Sequence, residues 1–203
     1  MAVSKTVPAE RIHQAYEAGQ RLFGENRVQE FAGKQAALAQ LSNAEFHMIG
    51  HLQSNKAGKA VELFHSIDSL DSANLGERLN AAAEKLGKTL EVLIEINIGG
   101  EDAKAGVALD SPELDRIFAA ASAWPNLRIQ GLMTVPPFTE DTEGARPYFR
   151  RLREARDRVA ARNLPSVRLD ALSMGMSHDF EVAIEEGSTC VRVGTAIFGE
   201  RGK

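Results

Sequence analysis

The sequence predicts an α/β protein whose eight strands close into a (β/α)8 barrel, the TIM-barrel fold. Short apolar segments alternate with amphipathic segments from one end of the chain to the other, and this alternation indicates a parallel sheet covered by helices. Eight strand segments occur within 203 residues, a length at which such a barrel forms one domain. A doubly wound open sheet is the alternative that the pattern leaves open.

Five of the strands are predicted in the first half of the chain. They lie at residues 2–5, 21–25, 45–50, 63–68 and 90–98, because each of these segments is short and apolar. Helices are predicted for the amphipathic segments 8–19, 26–41 and 72–87, and Gly87 is the expected stop signal of the third. No linker or change of composition divides the chain, so we expect a single domain over residues 1–203.

The second half continues the same alternation. Strands are predicted at residues 127–135, 167–175 and 190–199, and a helix at 111–124 has Pro112 near its start. Residues 146–163 hold seven arginines, with Glu154 and Asp157 between them. We interpret this segment as the solvated face of an outer helix, and a surface for an anionic partner is the alternative.

Composition and charge exclude several classes of protein. A net charge of −4 and a pI of about 5.8 are unlike the basic footprint of a nucleic-acid-binding protein. No apolar run has the ~18–20 residues of a membrane span, and no signal peptide is recognisable. The single cysteine, Cys190, excludes an intrachain disulfide and is interpreted as a packed, inert thiol. We therefore predict a cytoplasmic protein that binds neither nucleic acid nor membranes.

Polar residues collect where the predicted strands end. In barrels of this kind, function resides at the carboxyl ends of the strands. Read in order, these ends supply a polar ring with one nucleophilic amine: Lys5, Glu25, Asn26, Gly50, His51, Asn55, Asp68, Asn97, Met133, Thr134, residues 173–177, Gly194 and Thr195.

The last two strand ends predict a phosphate site. Barrels commonly bind phosphate with the loops after strands seven and eight, where glycines let the backbone approach the anion. Ser177 follows strand seven and opens a helical run, so we expect it to be both the helix N-cap and a phosphate ligand. A cap without a ligand role is the alternative for Ser177. Gly194 and Thr195, at the end of strand eight, complete the predicted site.

Arg192 precedes Gly194 by two residues, so both are expected on the interior face of strand eight. A ligand whose phosphate lies at Gly194 would then place a ring atom over Arg192, about 7 Å away along the strand. The alternative is an ion pair between Arg192 and Glu95. A lysine, a phosphate site and an inward arginine together indicate pyridoxal 5′-phosphate (PLP), because the Lys5 amine can form an imine with its aldehyde. Arginine stays protonated, so it would leave the ring nitrogen unprotonated and the ring a weak electron sink.

Five motifs carry a resemblance to a known family. They are AVSKT at residues 2–6, FGENRVQE at 23–30, FHMIGHLQSNK at 46–56, LSMGMSHD at 172–179 and VRVGTAIFG at 191–199. The chain closely resembles the pyridoxal phosphate homeostasis protein family over its whole length, and members of that family look like the barrel of alanine racemase. The resemblance implies a PLP barrel of fold type III, without the C-terminal β-domain of alanine racemase.

The resemblance also implies residue roles. Lys5 would hold PLP as a Schiff base, with Arg192 facing the pyridine nitrogen and Asn26 near the ring. His47 and Asn55 would line the site. Met133 and Ser173, from the strand ends, are added to this set, and no metal ligand is predicted. The predicted cofactor-binding residues are Lys5, Asn26, His47, Asn55, Met133, Ser173, Ser177, Arg192, Gly194 and Thr195.

The function implied by the resemblance is a cytoplasmic, monomeric carrier and buffer of PLP in vitamin B6 homeostasis. Such a protein would affect amino-acid balance, and PLP-dependent apoenzymes would be its recipients. A fold-type III racemase is the alternative, but racemisation needs acid–base groups on both faces of the substrate carbon. The chain ends soon after strand eight, and its tyrosines, Tyr16 and Tyr148, lie in predicted outer helices. We therefore expect no enzyme, or at most weak activity.

Two further expectations concern Lys104 and the start of the chain. An aldolase-like barrel that binds a sugar phosphate through Lys5 or Lys104 is a third reading, although Lys104 is expected to be a solvated loop residue. Family members carry an additional, mostly helical segment before the AVSKT motif. We therefore expect the start at Met1 to reflect a truncation or a misassigned initiation site.

Overall fold

Eight parallel strands form one sheet in chain order in the computed structural model, which describes residues 1–101 and 105–199. The sheet closes on itself through a bridge between Ala2 and Val193, where the Val3 N–H donates to Val193 O at 2.9 Å. This closure confirms the predicted barrel, and the open-sheet alternative is wrong. The strands are β1 (Ala2–Val3), β2 (Leu22–Glu25), β3 (Glu45–Met48), β4 (Ser66–Leu70), β5 (Leu90–Ile96), β6 (Leu127–Thr134), β7 (Val167–Met176) and β8 (Cys190–Arg192).

Helices cover the outside of the sheet. Two of them begin with serine caps that the sequence makes available: the Ser72 and Ser111 hydroxyls accept hydrogen bonds from Leu75 N–H and Leu114 N–H, respectively. None of the described helices is both long and apolar enough to cross a membrane. The helices are α1 (Ala9–Glu17), α2 (Val28–Leu38), α3 (Ala57–Leu63), α4 (Ala73–Lys85), α5 (Pro112–Ala120), α6 (Arg146–Ala160), α7 (Phe180–Glu185) and α8 (Thr195–Phe198), with short 3-10 segments at Ser54–Lys56, Ala121–Ala123 and Thr142–Ala145.

Aromatic contacts between strands and helices show which way the strand side chains point. Phe23 of β2 stacks on Phe46 of β3, and Phe46 packs against Phe31 of α2. These strand residues therefore face the helices. Because side chains alternate along a strand, Gly24 and His47, the next residues of β2 and β3, face the barrel interior.

The arginine-rich helix α6 has the amphipathic character expected of an outer helix. Phe149 and Leu152 are buried beneath it. Its solvent side carries Arg146, Arg150 and Arg153, whose guanidinium groups lie 3.0–3.2 Å from the carboxylate of Glu186. The predicted solvated face is confirmed.

Several predicted boundaries differ from the structure. β1 ends at Val3, so Lys5 lies in a turn, and β4 begins at Ser66 because residues up to Leu63 belong to α3. The predicted strand at 190–199 is the three-residue β8 followed by α8, and the helix expected from residue 177 begins at Phe180. Short apolar runs can be a buried strand or a buried helix end, and periodicity does not separate the two.

Candidate functional site

Lys5 lies in a turn whose backbone is fixed on both sides. Ser4 N–H donates to Gly24 O at 2.9 Å, which continues the β1–β2 pairing by one residue. On the other side, Thr6 adopts a left-handed φ of 62° and its N–H donates to the Glu30 carboxylate at 2.6 Å. The turn therefore presents the half-buried Lys5 in a defined place at the end of β1.

A buried cluster beneath this turn ties it to α2. The Glu25 carboxylate accepts hydrogen bonds from Ser4 Oγ at 2.7 Å and from Lys34 Nζ at 3.1 Å, and Lys34 Nζ also donates to Ser4 O at 3.0 Å. Burial raises the pKa of Glu25, and the hydrogen bonds from Ser4 and Lys34 offset only part of this rise. We call Ser4, Glu25, Glu30 and Lys34 the lysine-turn cluster. Glu25 was expected in the polar ring at the strand ends, and it instead binds Lys34 of α2.

Ser177 and Gly194 meet at the opposite end of the chain. Gly194 N–H donates to Ser177 Oγ at 3.2 Å, as expected if the loops after β7 and β8 build one site. Thr195 then begins α8, and the first N–H groups of a helix have no intrahelical partner. The prediction that Ser177 caps the next helix is wrong, because α7 is preceded by Asp179. The cap-only alternative for Ser177 is wrong for the same reason.

A cavity of about 420 Å³ joins the two ends of the chain. Lys5 and Thr6 line one side of it, and Gly194, Thr195 and Phe198 line the other. Barrel closure explains this meeting, because β1 and β8 are neighbours in the closed sheet although they stand at opposite ends of the sequence.

Arg192 is buried on the interior face of β8. Val193 bridges Ala2, which pairs with the helix-facing Phe23, so Arg192 points inward as predicted. Its guanidinium donates to Ser173 Oγ at 2.8 Å and to Thr134 O at 2.7 Å. Burial lowers the pKa of Arg192 from that of a solvated arginine. These two bonds hold the guanidinium in one orientation.

Glu95 forms a row with two residues of the predicted site. It pairs in register with Met133, and Met133 pairs with Ser173. Glu95 is 7% exposed. Within the described residues no Glu95 oxygen lies within ion-pair distance of Arg192, so the alternative ion pair is not formed. Glu95 Oε2 is buried and has no hydrogen-bond partner in the part of the chain that the structure describes. Burial together with the charge of Asp71 raises the pKa of Glu95 to about 7.

His47 is held against the barrel wall by Asp68. Its Nδ1 lies 3.1 Å from the buried Asp68 carboxylate, which also accepts a hydrogen bond from Ser66 Oγ at 2.6 Å. Burial lowers the pKa of His47, but the hydrogen bond and charge of Asp68 outweigh burial and raise it above the ordinary value. His47 therefore belongs to an interior polar group of β3 and β4.

The remaining predicted residues differ in exposure. Asn26 is half-buried directly after β2, and the loop after β3 packs against it so closely that a Cβ on Gly50 would clash with Asn26 O. Asn55 is exposed on the 3-10 helix Ser54–Lys56. Of the predicted cofactor-binding set, Lys5, Gly194 and Thr195 line the cavity, and the other seven residues are not among its lining. Lys104, considered for an aldolase-like site, lies outside the described residues.

Three comparisons place the chain among known proteins. A family model described as the alanine racemase N-terminal domain matches residues 1–202. A pyridoxal phosphate homeostasis protein of Aquifex aeolicus is 48% identical over 201 residues, which cover 99% of this chain and 86% of the relative. The chain belongs to the pyridoxal phosphate homeostasis protein family. The resemblance expected from the five sequence motifs is thereby confirmed.

Solved structures agree with this assignment. PipY of Synechococcus elongatus, solved with PLP bound, superposes with a TM-score of 0.88 at 40% identity, covering 98% of this chain and 91% of PipY. Alanine racemase of Clostridium difficile superposes with a TM-score of 0.73 at 14% identity, covering all of this chain and 52% of the racemase. At that identity the racemase supports the barrel fold alone.

Proposed function

We propose that this chain binds PLP through a Schiff base on Lys5 and acts as a carrier and buffer in intracellular PLP homeostasis. The observation that carries the proposal is the meeting of Lys5 with Gly194 and Thr195 in one cavity, with the guanidinium of Arg192 buried in the adjoining barrel interior. The homeostasis names of the relatives and the PLP bound to PipY support it.

The groups around the cavity fit an anionic phosphate. Gly194 N–H donates to Ser177 Oγ at 3.2 Å, and this bond holds the Ser177 hydroxyl next to the end of β8. The Ser177 oxygen accepts from Gly194 and its own hydrogen is available to an anion. The first N–H groups of α8 add donors of the kind that bind phosphate in many proteins.

The interior groups fit a pyridine ring. Arg192 has five N–H donors, and its bonds to Ser173 and Thr134 leave others to meet a ring nitrogen. Asn26, His47, Met133 and Asn55 are proposed to line the site, although Asn55 is exposed and would approach only an outer edge of the ligand.

The same residues favour a PLP carrier over an enzyme that turns over a substrate. When bound, PLP supplies an aldehyde that reacts with amines and a ring that can accept electrons. Arg192 cannot give up its proton, so it would hold the ring nitrogen unprotonated and weaken that electron sink. Tyr16 lies under the Arg21 guanidinium, 4.0 Å from its ring centroid, and Tyr148 belongs to the outer helix α6. Neither tyrosine supplies the second base that racemisation needs.

The proposal extends to the setting of the protein. We propose one PLP-binding barrel domain over residues 1–203 that acts as a monomer in the cytoplasm, with PLP-dependent apoenzymes as recipients and with an effect on amino-acid balance. The single cysteine supports a reducing compartment.

An absorption measurement tests the proposal. PLP added to the purified protein should produce the band of a protein-bound imine. Lys5→Ala should abolish the band, and Lys59→Ala should retain it, because Lys59 is an exposed lysine paired with Glu62 on the outside of the barrel. The absence of the band in the wild-type protein would contradict the proposal, and fast turnover of an amino acid would favour the racemase alternative.

A further inference from the structure

Glu95 is a buried carboxyl that the described part of the barrel does not satisfy. It is 7% exposed, and among residues 1–101 and 105–199 its Oε2 has no hydrogen-bond partner. Buried polar atoms in folded proteins are nearly always hydrogen-bonded, because an unpaired one costs about 1–3 kcal/mol. An unpaired carboxyl oxygen in the barrel interior, in register with two residues of the predicted site, therefore points to a partner that comes with a ligand.

The position of Glu95 points to the proposed PLP site. Its register row continues through Met133 to Ser173, and Ser173 holds the Arg192 guanidinium. Neighbouring strands are about 4.8 Å apart, so Glu95 lies about 10 Å from Ser173 along this row. Glu95, Met133 and Ser173 therefore form one interior row that ends beside the Arg192 guanidinium, where the ring nitrogen of PLP is proposed to lie.

The hydrogen-bonding groups of PLP determine whether Glu95 can contact it as a carboxylate or as a protonated carboxyl. With its nitrogen unprotonated over Arg192, PLP offers acceptors towards the barrel wall: the ring oxygen, the nitrogen and the phosphate. A carboxylate also only accepts, so it would repel these atoms. A protonated carboxyl has an O–H that can donate to the ring oxygen.

We propose that Glu95 contacts PLP in its protonated form, donating a hydrogen bond to the ring oxygen and taking up a proton when this anionic cofactor binds. This inference rests on the proposed function, since it assumes that PLP occupies the cavity between Lys5 and Gly194. It assigns Glu95 as a binding residue and makes the affinity for PLP depend on pH.

The charged groups around Glu95 favour its protonated form. Burial has the largest effect on the pKa of Glu95 and raises it. Asp71, which follows β4, raises this pKa as well, and Arg192 of β8 lowers it by a smaller amount. The register partner of Glu95 on β6, Met133, is uncharged. Asp68 interacts with Arg192 and is itself bound to His47. The Arg192 guanidinium itself donates to Ser173 Oγ and Thr134 O and to no carboxylate among the described residues.

The direction of the pH effect follows from proton uptake. The pKa of Glu95 is about 7 without ligand, and the negative charges of PLP would raise it further. Binding is then strongest below about pH 7 and weakens as the pH rises above it, by up to tenfold per unit.

The test compares PLP dissociation constants at pH 6 and pH 8 for the wild-type protein and Glu95→Gln, whose amide donates at every pH. Other titrating groups, Lys5 among them, are common to both proteins. The wild-type constant divided by the Glu95→Gln constant should rise about tenfold between the two pH values. Glu91→Gln is the matched control: it is the same change on the same strand, at an exposed carboxylate bound to Gln130, and the corresponding ratio should stay constant.

The outcomes separate the two proposals. A ratio for Glu95→Gln that stays constant while PLP still binds would overturn the role of Glu95 and leave the proposed function intact. Absence of PLP binding in every variant would overturn both proposals. A second readout is the ¹³C resonance of the Glu95 carboxyl, which should titrate near pH 7 in the free protein and remain protonated at pH 8 when PLP is bound. Ionisation at pH 8 in the complex would contradict proton uptake.

Discussion

Glu25 and Glu95 are both buried glutamates near the carboxyl ends of barrel strands, and burial raises the pKa of each. Glu25 faces the helix layer, where Ser4 Oγ and Lys34 Nζ donate to it. Glu95 shares its register row with Met133 and Ser173 of the predicted site, and its Oε2 has no hydrogen-bond partner among the described residues. The two glutamates therefore differ in their hydrogen bonds and not in their burial. Glu25 finds its partners in the fold and supports the Lys5 turn, whereas Glu95 is available to a ligand.

The largest expected effect comes from removing the lysine that binds the Glu25 carboxylate. Lys34→Met removes the cation beside Glu25 and the donor to Ser4 O, so we expect a loss of about 3 kcal/mol in the free energy of unfolding, because a buried charge is left unpaired. Urea unfolding at pH 7 measures it. Lys59→Met is the control, since its pair with Glu62 is about half exposed on both sides and should contribute less than about 1 kcal/mol. Equal losses in the two variants would contradict the role given to the lysine-turn cluster.

Replacing Glu95 should have the opposite effect and raise the free energy of unfolding. With a pKa of about 7, Glu95 binds its proton more tightly in the folded state than in the unfolded state. Its contribution to stability is fully present below about pH 4.5 and is lost as the pH rises through about 7. Glu95→Gln should therefore stabilise the free protein by about 1–3 kcal/mol at pH 8 and change it little at pH 4.5. Thermal unfolding at both pH values measures this, and destabilisation at pH 8 would show that Glu95 has a partner in the fold.

His47 allows a test of a third buried carboxylate, that of Asp68. Because Asp68 raises the pKa of His47, the pair stabilises the fold below the unfolded pKa of about 6.5, and this contribution is lost as the pH rises through the raised folded value. We expect His47→Gln to cost about 1 kcal/mol more at pH 6 than at pH 9. Urea unfolding at the two pH values measures the difference, and a cost independent of pH would contradict the charged pair.

Ser177 should behave as a ligand group whose loss leaves the fold almost unchanged. Its hydroxyl is bonded only to Gly194 N–H within the described residues. Ser177→Ala should weaken PLP binding about tenfold, the effect of one lost hydrogen bond to a charged group, and should change the free energy of unfolding by less than about 1 kcal/mol. A PLP titration with a parallel urea curve measures both. A large loss of stability with unchanged PLP affinity would assign Ser177 to the fold.

Sequence patterns predicted the barrel and the meeting of residues from both ends of the chain for a physical reason. Parallel strands end at one edge of a closed sheet, so Lys5, Ser177 and Gly194 could be placed together from their positions after strands alone. The inward direction of Arg192 followed from its spacing to Gly194.

Residues that depend on register or on helix packing were not found in this way. Lys34 lies in the middle of α2, and its contact with Ser4, 30 residues away, exists only after the helix packs on β1 and β2. Glu95 was expected inside the barrel only as an ion-pair partner of Arg192, and its pairing with Met133 was not predicted, because the β5–β6 pairing shifts register between Val92 and Leu93. The boundary between α3 and β4 was missed because apolar residues continue from one into the other.

Mass spectrometry after borohydride reduction tests the central proposal most directly. Reduction of the PLP-loaded protein converts an imine into a stable secondary amine, and peptide mapping locates the modified lysine. The account predicts one pyridoxyl group on Lys5, because Lys5 lines the same cavity as Gly194 and Thr195. A pyridoxyl group on another lysine with Lys5 unmodified, or no adduct at all, would contradict it.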